Sequence, residues 1–395
     1  MLRIFSFSII LLVIFSSCEE DFEITEPNNE LPVIYAFLEH EDPWGYYGSE
    51  DTNFVVIDKT FLGSENKYDL ALISDSVNYE NYDNLKVSLQ RISSLNPESN
   101  PIGEPIFLDY MPYKKDSGFF ASDNNIVFYT TSPLMSERDM KIDPSPKSSD
   151  NFFYKLSVKI PGKEEAYATT KMIRGITEGF PLTRDVPYRK LNMSSYINGY
   201  TFDVNFTSNV DARIYKLKIR TFYYEKRDDG NVYLDYVDYH HPIEVVDEAK
   251  PSVGQTMKIR VRPTAYFKSF ESALGDTTGV VWRVPKIVSK IDLEESIIIS
   301  ISLGSQETYV YNQLSMANFG DSQQRPIFNN ITNGIGLFTS KWNYSKDNFV
   351  MVEGTVDSLA TGLSTKNLKF MEKNFTINQN GLLNRHNVIK RYLDK

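Results

Sequence analysis

Hydrophobic and polar positions alternate along several short stretches of the chain. Leu85, Val87 and Leu89 interleave with Lys86, Ser88 and Gln90, and residues 154–160 (YKLSVKI) repeat the pattern up to the turn dipeptide Pro161-Gly162. A period of two sends successive side chains to opposite faces, so each stretch predicts a half-buried β-strand. Residues 32–38 differ: they open the body as a continuous apolar run, and residues 53–61, 125–131 and 167–172 supply further strands. About six or seven strands over residues 32–174 predict an N-terminal β-sandwich of immunoglobulin or fibronectin type, with long polar loops at 63–83 and 132–151.

Between residues 174 and 187 the pattern dissolves into Gly175, Gly179, Pro181 and Pro187, which reads as a linker. A second β-rich domain with a few short helices is predicted over 188–358. Residues 200–206 (YTFDVNF) alternate, and the runs 213–224 and 231–239 flank Asp228-Asp229-Gly230, the signature of a hairpin turn. Residues 258–261, 280–282 and 297–303 add strand. Tyr266, Phe270 and Leu274 recur at helical spacing, as do Val310, Leu314 and Ala317, predicting helices over 265–274 and 307–317. The remainder, 359–395, reads as a polar extension in which 382–393 predict a short basic helix carrying Arg385, Lys390 and Arg391. The fold class is therefore mainly β.

Composition narrows the chemistry. Tyr and Phe, 25 of each, suit pleated, half-buried strands. With 42 Lys+Arg against 52 Asp+Glu the net charge is -10, so no overall basic field exists and nucleic acid is not expected as a partner. Cys18 is the sole cysteine and the chain has 4 histidines, which argues against a disulfide framework, a thiolate metal cage and a His-rich metal site. No cofactor is expected.

The N-terminus carries its own signal. Met1-Leu2-Arg3 precedes an apolar run over residues 4–15 that is too short for a permanent membrane span, which predicts an export signal over 1–17. Phe15-Ser16-Ser17-Cys18 resembles a bacterial lipobox, in which the thiol is joined to diacylglycerol and becomes the new N-terminus; the other reading is an ordinary signal peptide followed by a free cysteine. Acyl chains anchor because each buried methylene contributes roughly 0.8 kcal/mol. Next comes Glu19-Glu20-Asp21-Phe22-Glu23, which resembles the surface-export signal of Bacteroidota lipoproteins and reads otherwise as a solvated acidic linker. Residues 18–31 then form a tether reaching on the order of 45 Å when extended.

Several segments resemble a family of Bacteroidota outer-membrane lipoproteins of unknown function, domain-of-unknown-function family 4249. They are Pro32-Val33-Ile34-Tyr35, Thr60-Phe61-Leu62-Gly63, Ile73-Ser74-Asp75-Ser76, Gly118-Phe119-Phe120-Ala121, Ala168-Thr169-Thr170 and, most specifically, the run from Arg325 to Phe338 (RPIFNNITNGIGLF). The resemblance spans roughly residues 31–340. It implies a cell-surface lipoprotein of two β-rich domains, often encoded near TonB-dependent receptors, and brings no catalytic residues.

Candidate chemistry is sparse. Asn333-Gly334-Ile335-Gly336 matches half of a dinucleotide-type glycine pattern, but Thr339 holds the third glycine position, and the glycines read better as a positive φ or a close backbone approach. His240-His241 lies near Asp235, Asp238, Glu244 and Asp247, yet on a strand the two imidazoles face opposite ways and only Asp238 shares a face with His240. No metal site is assigned, and a solvated strand end or a partner contact is the reading. No Gly-x-Ser-x-Gly elbow occurs, and in an acidic chain no carboxylate pair stands out, so no catalytic residue is named. The loop Asp42-Pro43-Trp44-Gly45-Tyr46-Tyr47-Gly48 sets three large rings among turn formers: Trp44, Tyr46 and Tyr47 are candidate partner anchors, or else fold back onto their own domain. The expectation is a non-enzymatic accessory lipoprotein facing the medium and working with a TonB-dependent receptor in ligand capture or uptake. A structural or adhesive surface lipoprotein without a receptor is the alternative, and a periplasm-facing lipoprotein or a hydrolase, carbohydrate-active or other, lesser ones.

Overall fold

The computed structural model describes residues 30–41, 52–60, 67–79, 82–114, 125–132, 134, 152–173, 175–183, 189–194, 200–208, 211–246, 255–286, 296–316, 328–372 and 388–390. The fold is mainly β, and of the described residues 50% are strand and 17% helix, in several sheets.

Strands β1 (Pro32–Glu41), β2 (Asn53–Lys59), β3 (Lys86–Ile92), β4 (Ile106–Phe107), β5 (Asp109–Tyr113), β6 (Asn125–Thr130), β7 (Phe153–Lys159) and β8 (Ala166–Lys171) form the first half. There follow β9 (Thr177–Glu178), β10 (Arg189–Leu191), β11 (Phe202–Thr207), β12 (Ile214–Arg227), β13 (Val232–His240), β14 (Glu244–Val245) and β15 (Thr256–Val261). The last are β16 (Val280–Pro285), β17 (Ile297–Gly304), β18 (Ile335–Met351) and β19 (Val388–Lys390). Most agree with the alternation to within a few residues, because the buried positions recur every second residue, as along β7 and β11.

Two large cores divide near residue 173. In the first, the sheet β4-β3-β7-β8 packs on the β1-β2-β6-β5 part of a long sheet. Val87, Leu89, Leu156, Val158 and Ala168 meet Ile34, Ala36, Leu38, Val55, Ile57 and Phe128 between the layers. This is a β-sandwich. In the second, the long sheet continues as β18-β17-β12-β13, and its inner face packs on β15-β11-β9 and on the helix Pro263–Leu274. Tyr215, Leu217, Ile219, Ile299 and Ile301 there meet Val204, Phe206, Ile259, Tyr266 and Phe270.

One strand belongs to both. β18 pairs in parallel with β1, Val33 beside Ile335 through Glu41 beside Asn343, while Lys341 to Phe349 pair antiparallel with β17. Phe338 is fully buried in the first core, a contribution of about 1.5–3 kcal/mol, whereas Trp342, Tyr344 and Phe349 enter the second.

The segment before β18 explains the most specific sequence run. Along residues 336–338 no strand among the described residues pairs with the edge of β18 away from β1, and two asparagine side chains bond there. Asn329 Oδ1 accepts from the Gly336 amide at 3.0 Å, and Asn330 holds both backbone groups of Phe338, at 2.9 and 2.7 Å. Thr332 meanwhile exchanges two backbone hydrogen bonds with Tyr167 of the opposite sheet. Gly336 has φ +134°, and Cβ atoms at Gly334 would come within 2.9 Å of Ile331 and 3.1 Å of the Pro32 carbonyl. These glycines thus serve close backbone approach.

Three sequence expectations are corrected. The stretch 175–183 is no bare linker: Ile176 and Leu182 are buried in the second core, and β9 pairs with β11. Residues 388–390, read within a basic helix, are strand, because β13 offers a free edge on which they pair in parallel. Beyond residue 358 the chain is not wholly polar in role: the helix Glu353–Thr361 crosses that point, and Leu359, Leu368 and Phe370 are core residues. The Asp-Gly hairpin joins β12 to β13 as read, with Gly230 at φ +86° and Asp229 Oδ1 accepting from the Asn231 amide at 2.8 Å.

Candidate functional site

Cys18, the acidic run Glu19, Glu20, Asp21, Phe22 and Glu23, and the loop residues Trp44, Tyr46 and Tyr47 all lie outside the described residues. What the structure supplies is the surface from which that loop springs.

On β1 the even positions Ile34, Ala36 and Leu38 fill the sandwich core, so Tyr35 and Phe37 face outward. Cross-strand partners share a face. Phe37 stands opposite Phe54 of β2, Phe54 opposite Tyr129 of β6, and Tyr129 opposite Asp109 of β5. The next row is Tyr35, Val56, Val127 and Met111. An antiparallel sheet with one buried face ordinarily carries polar residues on the other; here both faces are apolar. Phe54 remains 43% exposed and Met111 38%.

The helix Gln306–Met316 borders this surface. Tyr311 meets Tyr35 edge-on at 6.2 Å, and Ser305 and Thr308 bond the buried Thr339 hydroxyl at 2.6 and 3.2 Å. Burial first, then the neighbouring Tyr311 hydroxyl, pushes Tyr35 up to about 12, so it stays a neutral donor. Phe37 opposite Phe54 is the last cross-strand pair before the connection that holds Trp44, Tyr46 and Tyr47, and Asn53 Oδ1 accepts from the Glu39 amide at 2.6 Å at its root. Such a surface, with Asp109 at its margin, can desolvate a partner's apolar or ring surface.

The histidine pair divides as its strand requires. His241 bonds Tyr239 through Nδ1 at 3.0 Å and Glu244 through Nε2 at 3.1 Å, while Asp238 makes a two-point pair with Arg220 at 2.8 and 2.9 Å instead of turning to His240. Asp235 is buried and accepts from the Tyr236 amide; Asp247 lies outside the described residues. Among the described residues no three His, Cys, Asp or Glu side chains are grouped to hold a metal ion, and no helix is long and apolar enough to cross a membrane.

The sequence reading missed Phe37, Phe54 and Tyr129 as a site. Its available signal was the unbroken apolar run at 32–38, which marks a strand apolar on both faces.

No family model and no curated protein matches the chain. Among solved structures, "Crystal structure of CBD12 from CALX1.2" is similar at 7% identity, covering 80% of this chain and 100% of that one with a TM-score of 0.12, a likeness too slight to bear on the fold.

Proposed function

We propose that the chain is a non-enzymatic accessory lipoprotein, tethered to the outer membrane through Cys18, exposed to the medium, and binding its partner through the aromatic row Phe37, Phe54 and Tyr129 together with Trp44, Tyr46 and Tyr47. Cys18 carries this reading. It is the sole cysteine of 395 residues and stands where an apolar leader ends in two small residues. The resemblance to Bacteroidota surface lipoproteins supports it and makes a TonB-dependent receptor, or that receptor's ligand, the partner class. The tether joins the body at the Pro32 end of β1, whereas the aromatic row lies toward the Glu41 end, so the strand itself separates anchor from contact surface. Capture or positioning of a ligand beside the receptor is the mechanism this arrangement serves.

Labelled palmitate tests the anchor. The wild-type chain is expected to incorporate it and sediment with outer membranes, and Cys18→Ser to lose both. Retention of label and membrane association in Cys18→Ser would remove the basis of the proposal.

A further inference from the structure

The outward face of the long sheet changes character across its width. Beyond β18 it turns polar and then cationic, in a chain whose net charge is -10. Along β12 the residues Tyr215, Leu217 and Ile219 point into the second core, which sends Lys216, Lys218 and Arg220 together to the outer face. The register builds straight rows on them. His240, Lys218, Ser300 and Ser345 stand side by side on β13, β12, β17 and β18; in the next row Lys216, Ser302 and Asn343 do so, ending on β1 at Glu41.

Arg220 is already satisfied. Asp238 pairs with it at two points, and the Tyr236 ring lies 3.7 Å beneath its guanidinium carbon. Lys216 and Lys218 have no ion-pair partner among the described residues, and Asp238 is the one carboxylate facing this part of β12 and β13. The crowding of like charge registers at two groups. Burial first, then Arg220 and Lys216, holds Lys218 below the ordinary lysine range, and burial, then Lys216, holds His240 below its ordinary value. Ser300 and Ser345, hydrogen bonded to each other at 3.0 Å, offer hydroxyls in the same row.

We infer that this face, centred on Lys216, Lys218, Ser300 and Ser345, docks an extended acidic peptide segment of a partner protein. The spacing carries the choice of occupant. Lys216 and Lys218 stand about 6.7 Å apart along one strand, the repeat at which an extended peptide presents every second side chain, so two carboxylates at alternate positions meet two ammonium groups. The serine and asparagine side chains lie where peptide amides and carbonyls need partners. The occupant is assigned to a partner protein on this charge and spacing.

The test titrates the full chain in detergent with a blocked Glu-Thr-Glu-Thr-Glu-Thr peptide, its Lys-Thr counterpart and inorganic phosphate, by calorimetry at low salt. Expected are binding of the acidic peptide alone, a Kd raised at least tenfold in Lys216→Ala/Lys218→Ala, and no change in the exposed-lysine control Lys86→Ala/Lys268→Ala. Lys218→Met keeps the buried methylenes and drops the charge, so it reports the same loss if the alanine variant fails to fold. Equal binding of the acidic peptide by the variants and the wild type would overturn the inference. So would binding of phosphate in place of the peptide, or self-association of the chain that the lysine substitutions abolish.

Discussion

Gly336 and Ile34 face each other across the parallel ladder of β1 and β18 so closely that a Cβ on Gly336 would fall inside the Ile34 carbonyl group. This contact lies where the two cores meet, because β18 turns Phe338 into one and Trp342 into the other. Gly336→Ala is therefore expected to cost more than about 3 kcal/mol or to leave no folded protein. Gly230→Ala is the comparison: its φ is also positive, at +86°, but nothing lies within 4 Å, so the cost is about 1 kcal/mol. Urea unfolding of both separates backbone collision from φ alone, and equal costs would mean that close approach at Gly336 is not what requires glycine.

Arg283 is buried at the hub of the second half. It donates to Glu225 at 2.8 Å and to the carbonyls of Leu274, Leu368 and Asp276 at 3.2, 3.0 and 3.3 Å, tying β12 and β16 to the helix Pro263–Leu274 and to the chain before Phe370. Arg283→Ala leaves the buried Glu225 carboxylate with Arg227, at 2.6 Å, and takes the donor from three carbonyls, and it is expected to cost about 2–3 kcal/mol in urea unfolding. Burial by itself would raise the Glu225 pKa, but hydrogen bonds from Arg227 and Arg283 outweigh it and hold it below the ordinary 4.5. A depressed folded value means that the contribution is full above pH 4.5 and disappears as pH falls through the folded pKa. The Arg283→Ala deficit should accordingly shrink in acid.

At the root of the proposed tether, Glu30 pairs with Lys163 at 2.8 Å and Lys59 at 3.2 Å, while Leu31 and Thr60 exchange hydrogen bonds. Burial opposes its ionisation, yet the two lysines keep its pKa below the ordinary 4.5. Glu30→Gln should speed amide exchange at Leu31 and Thr60 near neutral pH with little change in global stability, since the pair is partly exposed. The wild type should approach the variant's protection, after correction for intrinsic rates, as pH falls below 4.5. Identical exchange at neutral pH would show that the clamp does not hold the tether root.

What was legible in the sequence followed local periodicity. β7 and β11 show one buried face throughout and β12 does so from Tyr215 to Arg220, while Asp-Gly marks the tight hairpin between β12 and β13, so there pattern and structure agree. β18 hid because its burial is mixed. Leu337, Phe338, Thr339 and Ser340 are all buried, whereas farther along only every second residue is, at Trp342 and Tyr344, so no single period spans it. β19 hid for another reason: a short strand captured by an open edge needs backbone groups, not a side-chain pattern. The aromatic row was invisible locally because Phe37, Phe54 and Tyr129 converge only through strand register, a long-range property. The cationic positions Lys216, Lys218 and Arg220 alternate plainly in the sequence, but the serines that complete their rows arrive from β17 and β18.

The proposed contact surface is tested by whether the chain captures an outer-membrane protein from solubilised membranes, comparing wild type with Trp44→Ala/Tyr46→Ala/Tyr47→Ala and with Phe54→Ala. The expected result is recovery reduced at least tenfold in the triple variant, about 1.4 kcal/mol, and reduced in the same direction by Phe54→Ala. Thermal stability should stay within a few degrees, since Phe54 is 43% exposed. Full recovery of the partner by folded, surface-reaching variants would contradict binding through the rings that Phe37 and Phe54 set at the end of the sheet.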